Sequence, residues 1–373
     1  MLPQWSITLR PAMRRALFLA EQGRAGVAPN PLVGAVLLQD GVPVAEGWHQ
    51  RAGGPHAEVA CLRGLPLAAT LGATLVVTLE PCCHTGRTPP CVKLILRAGI
   101  RRVVAALEDP NPLVAGRGLG ILREAGLEIA CGLLEDEARA LNRHFVCHME
   151  RGRPWITLKW AQSLDGRIAA LAGARTQLSG PQSLLETRLL RAAHPGILVG
   201  IGTALADDPL LGLPAIPKQP FEGRAPHRLV LDSRARLPLQ SRLVRSASGQ
   251  PLTILCGNRA PTERLRALER LGVGVAVHPG AQRPPLDWVL TQALALGLDG
   301  LLVEGGAHVH GAFLQAGLVD EVVTITAPLL LGAGLPALSL GAAPALCHAF
   351  VPVSQRRVGA DLWQVWRPAR REG

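Results

Sequence analysis

Pro81-Cys82-Cys83-His84-Thr85-Gly86-Arg87-Thr88-Pro89-Pro90-Cys91, read together with His56-Ala57-Glu58, decides how this 373-residue chain folds. His56, Cys82 and Cys91 form a three-ligand set suited to zinc, with a fourth position left for water. Glu58 lies two residues after His56, close enough to reach that water without ligating, and is the expected proton carrier. Helices are expected to start at Pro55 and Pro81, where unpaired backbone N–H groups favour thiolates. An apolar strand over 73–79 separates them. Neighbouring residues at a helix start rarely ligate one ion together, so Cys83 reads as a bystander. Cys61, Cys131, Cys147, Cys256 and Cys347 read as buried apolar thiols.

Working outward, a helix is expected over 12–23, then strands over 33–38 and 42–48 about a hairpin at Gly41. Helices at 93–98, 118–125 and 135–149 alternate with strands at 102–107 and 127–131. Arg151-Gly152-Arg153-Pro154 breaks the pattern, giving domains 1–150 and 151–373. Length alone favours two domains. Further strands are expected at 155–159, 197–200, 228–232, 253–256, 274–277 and 300–303. Both halves alternate strand and helix, so the fold class is α/β. The stretch 322–355 carries no formal charge, but Pro328, Pro336 and Pro344 interrupt it. It reads as a buried strand followed by a long loop, not a membrane span.

Composition narrows the function. Hydrophobic residues make up 48% and charged residues 18%, which excludes a disordered chain. There is no Tyr, which excludes Tyr-dependent reductase chemistry. The net charge is +11, and only Lys93, Lys159 and Lys218 are lysines. Such a charge suggests nucleic acid, a membrane surface or phosphorylated metabolites as partners, with Arg-rich coding bias as the plain alternative. Residues 1–150 hold 15 basic and 13 acidic groups, a net +2, and the remainder a net +9. No apolar core follows the first basic residues, so no secretory signal is expected. The eight cysteines lack disulfide-scaffold spacing, so a cytoplasmic protein with reduced thiols is expected.

His-x-Glu followed by Pro-Cys is a signature of zinc deaminases of nucleobases, here with eight residues between Cys82 and Cys91. The stretch from Val77 to Cys91 closely resembles the deaminase domain of the bifunctional riboflavin-biosynthesis deaminase/reductases. So do Asn30-Pro31-Leu32-Val33-Gly34, Gly47-Trp48-His49, Gly54-Pro55-His56-Ala57-Glu58 and the run Asp109 to Gly118. The resemblance implies a cytidine-deaminase-like three-layer domain with zinc on His56, Cys82 and Cys91 and Glu58 as proton shuttle. It also implies substrate contacts from Asn30, His49, His84 and Arg87. Asn30 suits a pyrimidine edge, and the other three suit a phosphate.

In the second half, the runs 157–169, 197–209 and 302–321 resemble the reductase domain of the same family, whose fold is similar to dihydrofolate reductase. Two Gly turns follow apolar strands there, at Gly200-Ile201-Gly202 and Gly305-Gly306, and backbone amides at such turns cradle phosphates. The resemblance implies NADPH contacts from Gln162, Thr203, Asp208, Ser233, Gly305, Gly306 and Gly311, and substrate contacts from Arg191 and Glu304. The chain departs from the family at Ala28, where His is common, and in the run 175–180. It also has Leu211-Gly212-Leu213-Pro214 where the family has Thr-x-Arg. Arg175 and Arg224 are candidates to replace that Arg. The expected activity is zinc-dependent deamination of a phosphorylated diaminopyrimidine, then NADPH-dependent reduction of its ribosyl chain. The expected partners are a small phosphorylated pyrimidine and a second copy of the chain, with no nucleic acid and no membrane. Two rivals stand beside this: a deaminase whose C-terminal half is a degenerate scaffold, and an RNA adenosine deaminase with a basic extension.

Overall fold

Strand β1 (Gly34–Gln39) carries an apolar run that only a strand covered on both faces can bury. Val36 and Leu38 pack against Met13, Ala16 and Leu19 of the helix Arg10–Glu21. Ala35 and Leu37 point the other way, toward Ala57, Cys61, Ile95, Leu119 and Leu122. The first helix crosses so closely that a Cβ on Gly34 would meet the Ala16 carbonyl oxygen at 2.0 Å. With β2 (Val42–Trp48), β3 (Thr74–Val77), β4 (Arg102–Ala105) and β5 (Glu128–Cys131), the sheet order is β2-β1-β3-β4-β5. β1 is antiparallel to both neighbours, while β3, β4 and β5 are parallel. The result is three layers, helix on sheet on helix.

This computed structural model describes residues 3–369 except 25, 85–88, 172, 174–175, 214–224 and 340–348. It divides into two units whose described parts are residues 3–152 and 153–369. Among the described residues, no helix is long and apolar enough to cross a membrane.

The second unit contains β6 (Trp155–Gln162), β7 (Arg167–Ala169), β8 (Gly196–Gly200), β9 (His227–Leu231), β10 (Leu252–Cys256) and β11 (Gly274–Val277). It continues with β12 (Gly300–Gly305), β13 (Glu321–Thr326), β14 (Leu335–Pro336), β15 (Phe350–Val358) and β16 (Asp361–Pro368). Nine of these form one sheet in the order β11-β10-β9-β8-β12-β6-β13-β16-β15. It is parallel from β11 to β13 and antiparallel over the last two strands. Ile197, Val199, Val230 and Ile254 fill one face, and Leu158, Leu198, Leu229, Leu255 and Val303 the other. From β8 the chain moves outward to β9, whereas from β12 it moves the other way to β13. This reversal makes the carboxyl ends of β8 and β12 a topological switch point, the place where open α/β sheets bind ligands.

Three sequence expectations are corrected. No helix starts at Pro81: residues 81–84 are irregular, and the helix Cys91–Arg97 begins after Pro89-Pro90. The expected helix 135–149 is two, Glu135–Leu141 and Arg143–Arg151, broken at Asn142. Asn142 is buried; its Oδ1 accepts from Leu32 N at 2.8 Å and its Nδ2 donates to Leu32 O at 2.9 Å. That pairing takes the residue out of the helix and fixes the Asn30-Pro31 turn. Finally, the uncharged stretch 322–355 does not end as a loop, because β15 and β16 form a hairpin. Pro352 masks this strand in the sequence, and it is accommodated because β15 is the sheet edge, with a bulge beside it.

Arg228 is fully buried and has no carboxylate partner among the described residues. Its guanidinium donates to the Leu210 carbonyl at 3.2 Å, the Ser246 hydroxyl at 2.7 Å and the Gln250 carbonyl. Burial lowers its pKa to about 10. Arg228→Leu strands these acceptors and should cost about 3 kcal/mol. Urea unfolding of the full chain checks this; a loss under about 1 kcal/mol would show that the acceptors find other donors.

Candidate active site

His56 caps the helix Ala57–Leu62 and Cys91 opens the helix Cys91–Arg97, while Cys82 follows the end of β3. Three different elements therefore deliver one ligand each. The Nδ1 of His56 lies 3.5 Å from Cys82 Sγ and 3.4 Å from Cys91 Sγ, and the three ligand atoms fall within 4.8 Å of one another. Although Cys82 is not on a helix, the first N–H of the next helix donates to its sulfur at 3.4 Å. The Cys91 thiol and the His56 ring hold Cys82 well below the usual thiol range, to about 4. Cys91 is pushed up by the Cys82 thiolate and by burial. One imidazole nitrogen and two sulfurs, one already a thiolate, fit a borderline-soft cation such as zinc. Cys83 stands aside, its sulfur 3.9 Å from the Leu113 carbonyl.

Glu58 sits in the first turn after His56, 3% exposed, and burial pushes its carboxyl up to about 7. A carboxyl balanced between charged and neutral at physiological pH suits proton transfer in both directions. His49 packs edge-on against His56, with ring centroids 5.6 Å apart. Its Nδ1 is 2.8 Å from the Pro55 carbonyl, so that nitrogen carries the proton, and Nε2 accepts from Asn30 Nδ2 at 3.0 Å. Both nitrogens are engaged, the ring is 3% exposed, and burial lowers its pKa. The sequence suggested a phosphate contact at His49; in the structure both its ring nitrogens are engaged, with the Pro55 carbonyl and Asn30. Asn30 and His84 are exposed, and Arg87 lies outside the described residues.

Burial raises Cys61 and Cys256 to about 12, in keeping with inert apolar thiols. Cys131 is only half-buried, and Cys347 lies outside the described residues.

In the second unit, several expected residues lie at or beside the carboxyl ends of β8 and β12. A Cβ on Gly305 would meet Thr203 Oγ1 at 2.6 Å, and one on Gly200 would meet Val309 at 2.8 Å. Glycine lets these turns approach Thr203 and Val309 closely, and backbone amides at such turns suit phosphates. Gln162 ends β6 and accepts from Trp160 Nε1 at 2.7 Å. Ser233 follows β9, and Asp208 accepts from Arg242 N at 2.9 Å. Gly311 lies in the second turn of the helix Ala307–Gln315, past the free amides of its first turn.

Arg191 and Glu304 form a bidentate pair at 2.5 and 2.9 Å. Lys159 Nζ lies 3.8 Å from the same carboxylate, 13% exposed, and burial lowers its pKa. Sequence reasoning missed Lys159. The signal was present: it is one of three lysines in the chain and falls inside an apolar strand, Trp155-Ile156-Thr157-Leu158-Lys159-Trp160. Across the same strand, His310 stacks on Trp160 at 5.3 Å, and burial lowers its pKa to about 4. Of the departing segment, Leu211 is buried at φ 54°, and Pro214, Arg175 and Arg224 lie outside the described residues.

The family model described as the cytidine and deoxycytidylate deaminase zinc-binding region matches residues 7–107. The model described as the RibD C-terminal domain matches residues 154–360. The riboflavin biosynthesis protein RibD of Aquifex aeolicus is 40% identical over 88% of this chain and 89% of its own length. That of Escherichia coli is 42% identical over 86% and 88%. Among solved structures, Acinetobacter baumannii RibD, form 1, superposes with TM-score 0.86 at 35% identity, covering 97% of this chain and 99% of that one. A diaminohydroxyphosphoribosylaminopyrimidine deaminase/5-amino-6-(5-phosphoribosylamino)uracil reductase from Thermotoga maritima gives 0.82 at 32%, covering 96% and 98%.

Metal analysis should find one zinc per chain, lost in Cys82→Ser and Cys91→Ser and retained in Cys83→Ser; loss in Cys83→Ser would make Cys83 a ligand. His310 yields a pH expectation. Its folded pKa lies below the unfolded value of about 6.5, so the unfolded chain takes the proton first. Stability is therefore lost as pH falls from about 6.5 to 4, by at most about 3 kcal/mol. His310→Phe should flatten that slope in urea titrations at pH 7 and 4.5, and an unchanged slope would assign it to other groups.

Proposed function

The chain belongs to the RibD family of riboflavin biosynthesis proteins, and on that premise we propose how its own residues divide the work. It is a bifunctional enzyme, a zinc-dependent deaminase followed by an NADPH-dependent reductase. Its basic C-terminal half is a RibD C-terminal domain, so the RNA-deaminase reading gives way. The observation that carries the residue assignment is the convergence of His56, Cys82 and Cys91 beside the buried Glu58.

In the deaminase half, His56, Cys82 and Cys91 hold zinc, which when bound supplies the Lewis acidity that makes water a nucleophile near neutral pH. Glu58 takes a proton from the attacking water and returns it to the exocyclic amine of a 2,5-diamino-6-ribosylamino-4-pyrimidinone 5'-phosphate, which leaves as ammonia. Asn30, held by His49, reads the pyrimidine edge. His84 and Arg87 are assigned to the sugar phosphate.

In the reductase half, Thr203, Gly305 and Gly306 cradle the cofactor's phosphates, with Gln162, Asp208, Ser233 and Gly311 around them. NADPH supplies the hydride that the ribosyl C1 receives. The C1–O bond of the sugar ring breaks, and the ring oxygen needs a proton. Lys159 is the group to give it: it is buried, has three donors, and is held by Glu304. Glu304 and Arg191 position the sugar. A family match across residues 154–360 favours a working reductase over a degenerate scaffold.

The second-half excess of positive charge serves small phosphorylated ligands, not nucleic acid or membrane. Cys61, Cys82, Cys83, Cys91, Cys131 and Cys256 are thiols outside any disulfide, which supports a cytoplasmic location. We read the enzyme as a homo-oligomer, since the edge strand β15 exposes Val351 and Val353 and open edges are normally covered. Light scattering should then give more than one chain per particle, and Val351→Asp with Val353→Asp should yield monomer; a wild-type monomer overturns it.

Glu58→Gln should lower deamination about a thousandfold while keeping zinc and reductase turnover. Lys159→Met should lower reductase kcat about a hundredfold with NADPH affinity unchanged. Coupled assays of each half check both. Deamination that survives Glu58→Gln, or reduction that survives Lys159→Met, removes the role assigned.

A further inference from the structure

Glu80, two residues before the ligand Cys82, carries no role in the mechanism above, yet it is 3% exposed and surrounded by backbone donors. Its Oε2 accepts from Asp109 N at 3.1 Å and from Gly116 N at 2.8 Å. Its Oε1 accepts from Leu119 N at 3.1 Å. One oxygen thus receives both ends of the loop 109–116, and the other receives an amide from the first turn of the helix Arg117–Glu124. That helix has no side-chain cap of its own, and its preceding residue is Gly116 at φ 81°. A carboxylate from another segment supplies the cap. The helix end sits hard against the metal-ligand segment, since a Cβ on Gly118 would meet the Pro81 carbonyl oxygen at 2.1 Å.

The closed loop faces the metal site. The Leu113 carbonyl lies against Cys83, and the buried Asp109 is close enough to His84 and Cys82 for their charges to act on it. Inside the loop, Asp109 Oδ1 accepts from Asn111 N and Asn111 Oδ1 accepts from Leu113 N, so the loop is stiff between its pinned ends. Cys82 does not need Glu80's side chain to stay in place. The backbone of Glu80 is already tied to β4's extension, N to Leu107 O at 2.9 Å.

We propose that Glu80 is a positioning residue that closes the loop 109–116 onto the Cys82-Cys83-His84 segment and so shapes the substrate wall of the deaminase site. Its contribution falls on substrate binding and not on the metal or the proton transfer. This rests on the deaminase reading of the N-terminal unit.

The test is Glu80→Gln in the full-length zinc-loaded enzyme, since glutamine keeps the shape but turns one acceptor oxygen into a donor facing an N–H. Loss of charge-assisted bonds of this kind should raise KM for deamination about tenfold or more, with kcat within about threefold. Zinc should stay at one equivalent and NADPH-dependent reduction unchanged. Amide exchange at Asp109, Gly116 and Leu119 should quicken about tenfold. An unchanged KM, or a fall in zinc or in kcat alone, overturns the proposal. If the glutamine variant does not fold, Gly118→Ala, which pushes the helix off Pro81, carries the same expectation of raised KM with zinc retained. A wild-type enzyme that does not deaminate would sink the deaminase reading itself, whereas active wild type with an unaltered variant sinks only this inference.

Discussion

Two sulfurs and an imidazole nitrogen held within 4.8 Å are an unfavourable grouping until a cation joins them. Cys82 is drawn toward its thiolate while Cys91 holds its proton more tightly, so the two sulfurs do not ionise together unaided. The ligands come from three elements separated by up to 35 residues, so the sheet must be formed before the group can exist. Everything around it serves to hold it: β1 buried on both faces, β3 and β4 parallel with their carboxyl ends together, and helices starting at or beside the ligands. The acid–base group then follows from position alone. Glu58 lies one short step into the helix that His56 caps, and the same burial that secures the ligands keeps its proton exchangeable near neutral pH.

The second unit uses a different constraint, the reversal of strand order between β8 and β12. The diverging chains make the carboxyl ends of β8 and β12 a switch point, where glycines at 200, 305 and 306 let the turns pack against Val309 and Thr203. A charged cluster of Arg191, Glu304 and Lys159 is buried on strands and a helix of the same unit. Burying such charges is costly unless they are paired. Here the carboxylate takes both cations, and the lysine is left with a lowered pKa, as a proton donor requires.

Long apolar or periodic segments were legible in the sequence: β2 and β11 match their expected bounds, and most other strands fall within a residue or two. Segments governed by distant partners were not. Asn142 ends a helix because its amide is spent on Leu32, more than a hundred residues away. Residues 81–84 stay irregular because the Pro-rich insertion delays the helix to Cys91. The β15–β16 hairpin was hidden by Pro352, which is tolerable only at an edge that the sequence does not reveal.

By itself the sequence determined the candidate ligand set, the candidate proton carrier, the α/β alternation in both halves and the Gly turns, because each rests on residue type at short spacing. Tertiary structure alone decided which groups meet. His49 came to rest against Asn30, with its other nitrogen taken by Pro55. Lys159 emerged beside Glu304, and Glu80 beneath the loop 109–116, since both depend on partners brought in by strand order. Local chemistry is written along the chain, but hydrogen-bond satisfaction of buried groups is settled only when distant segments pack.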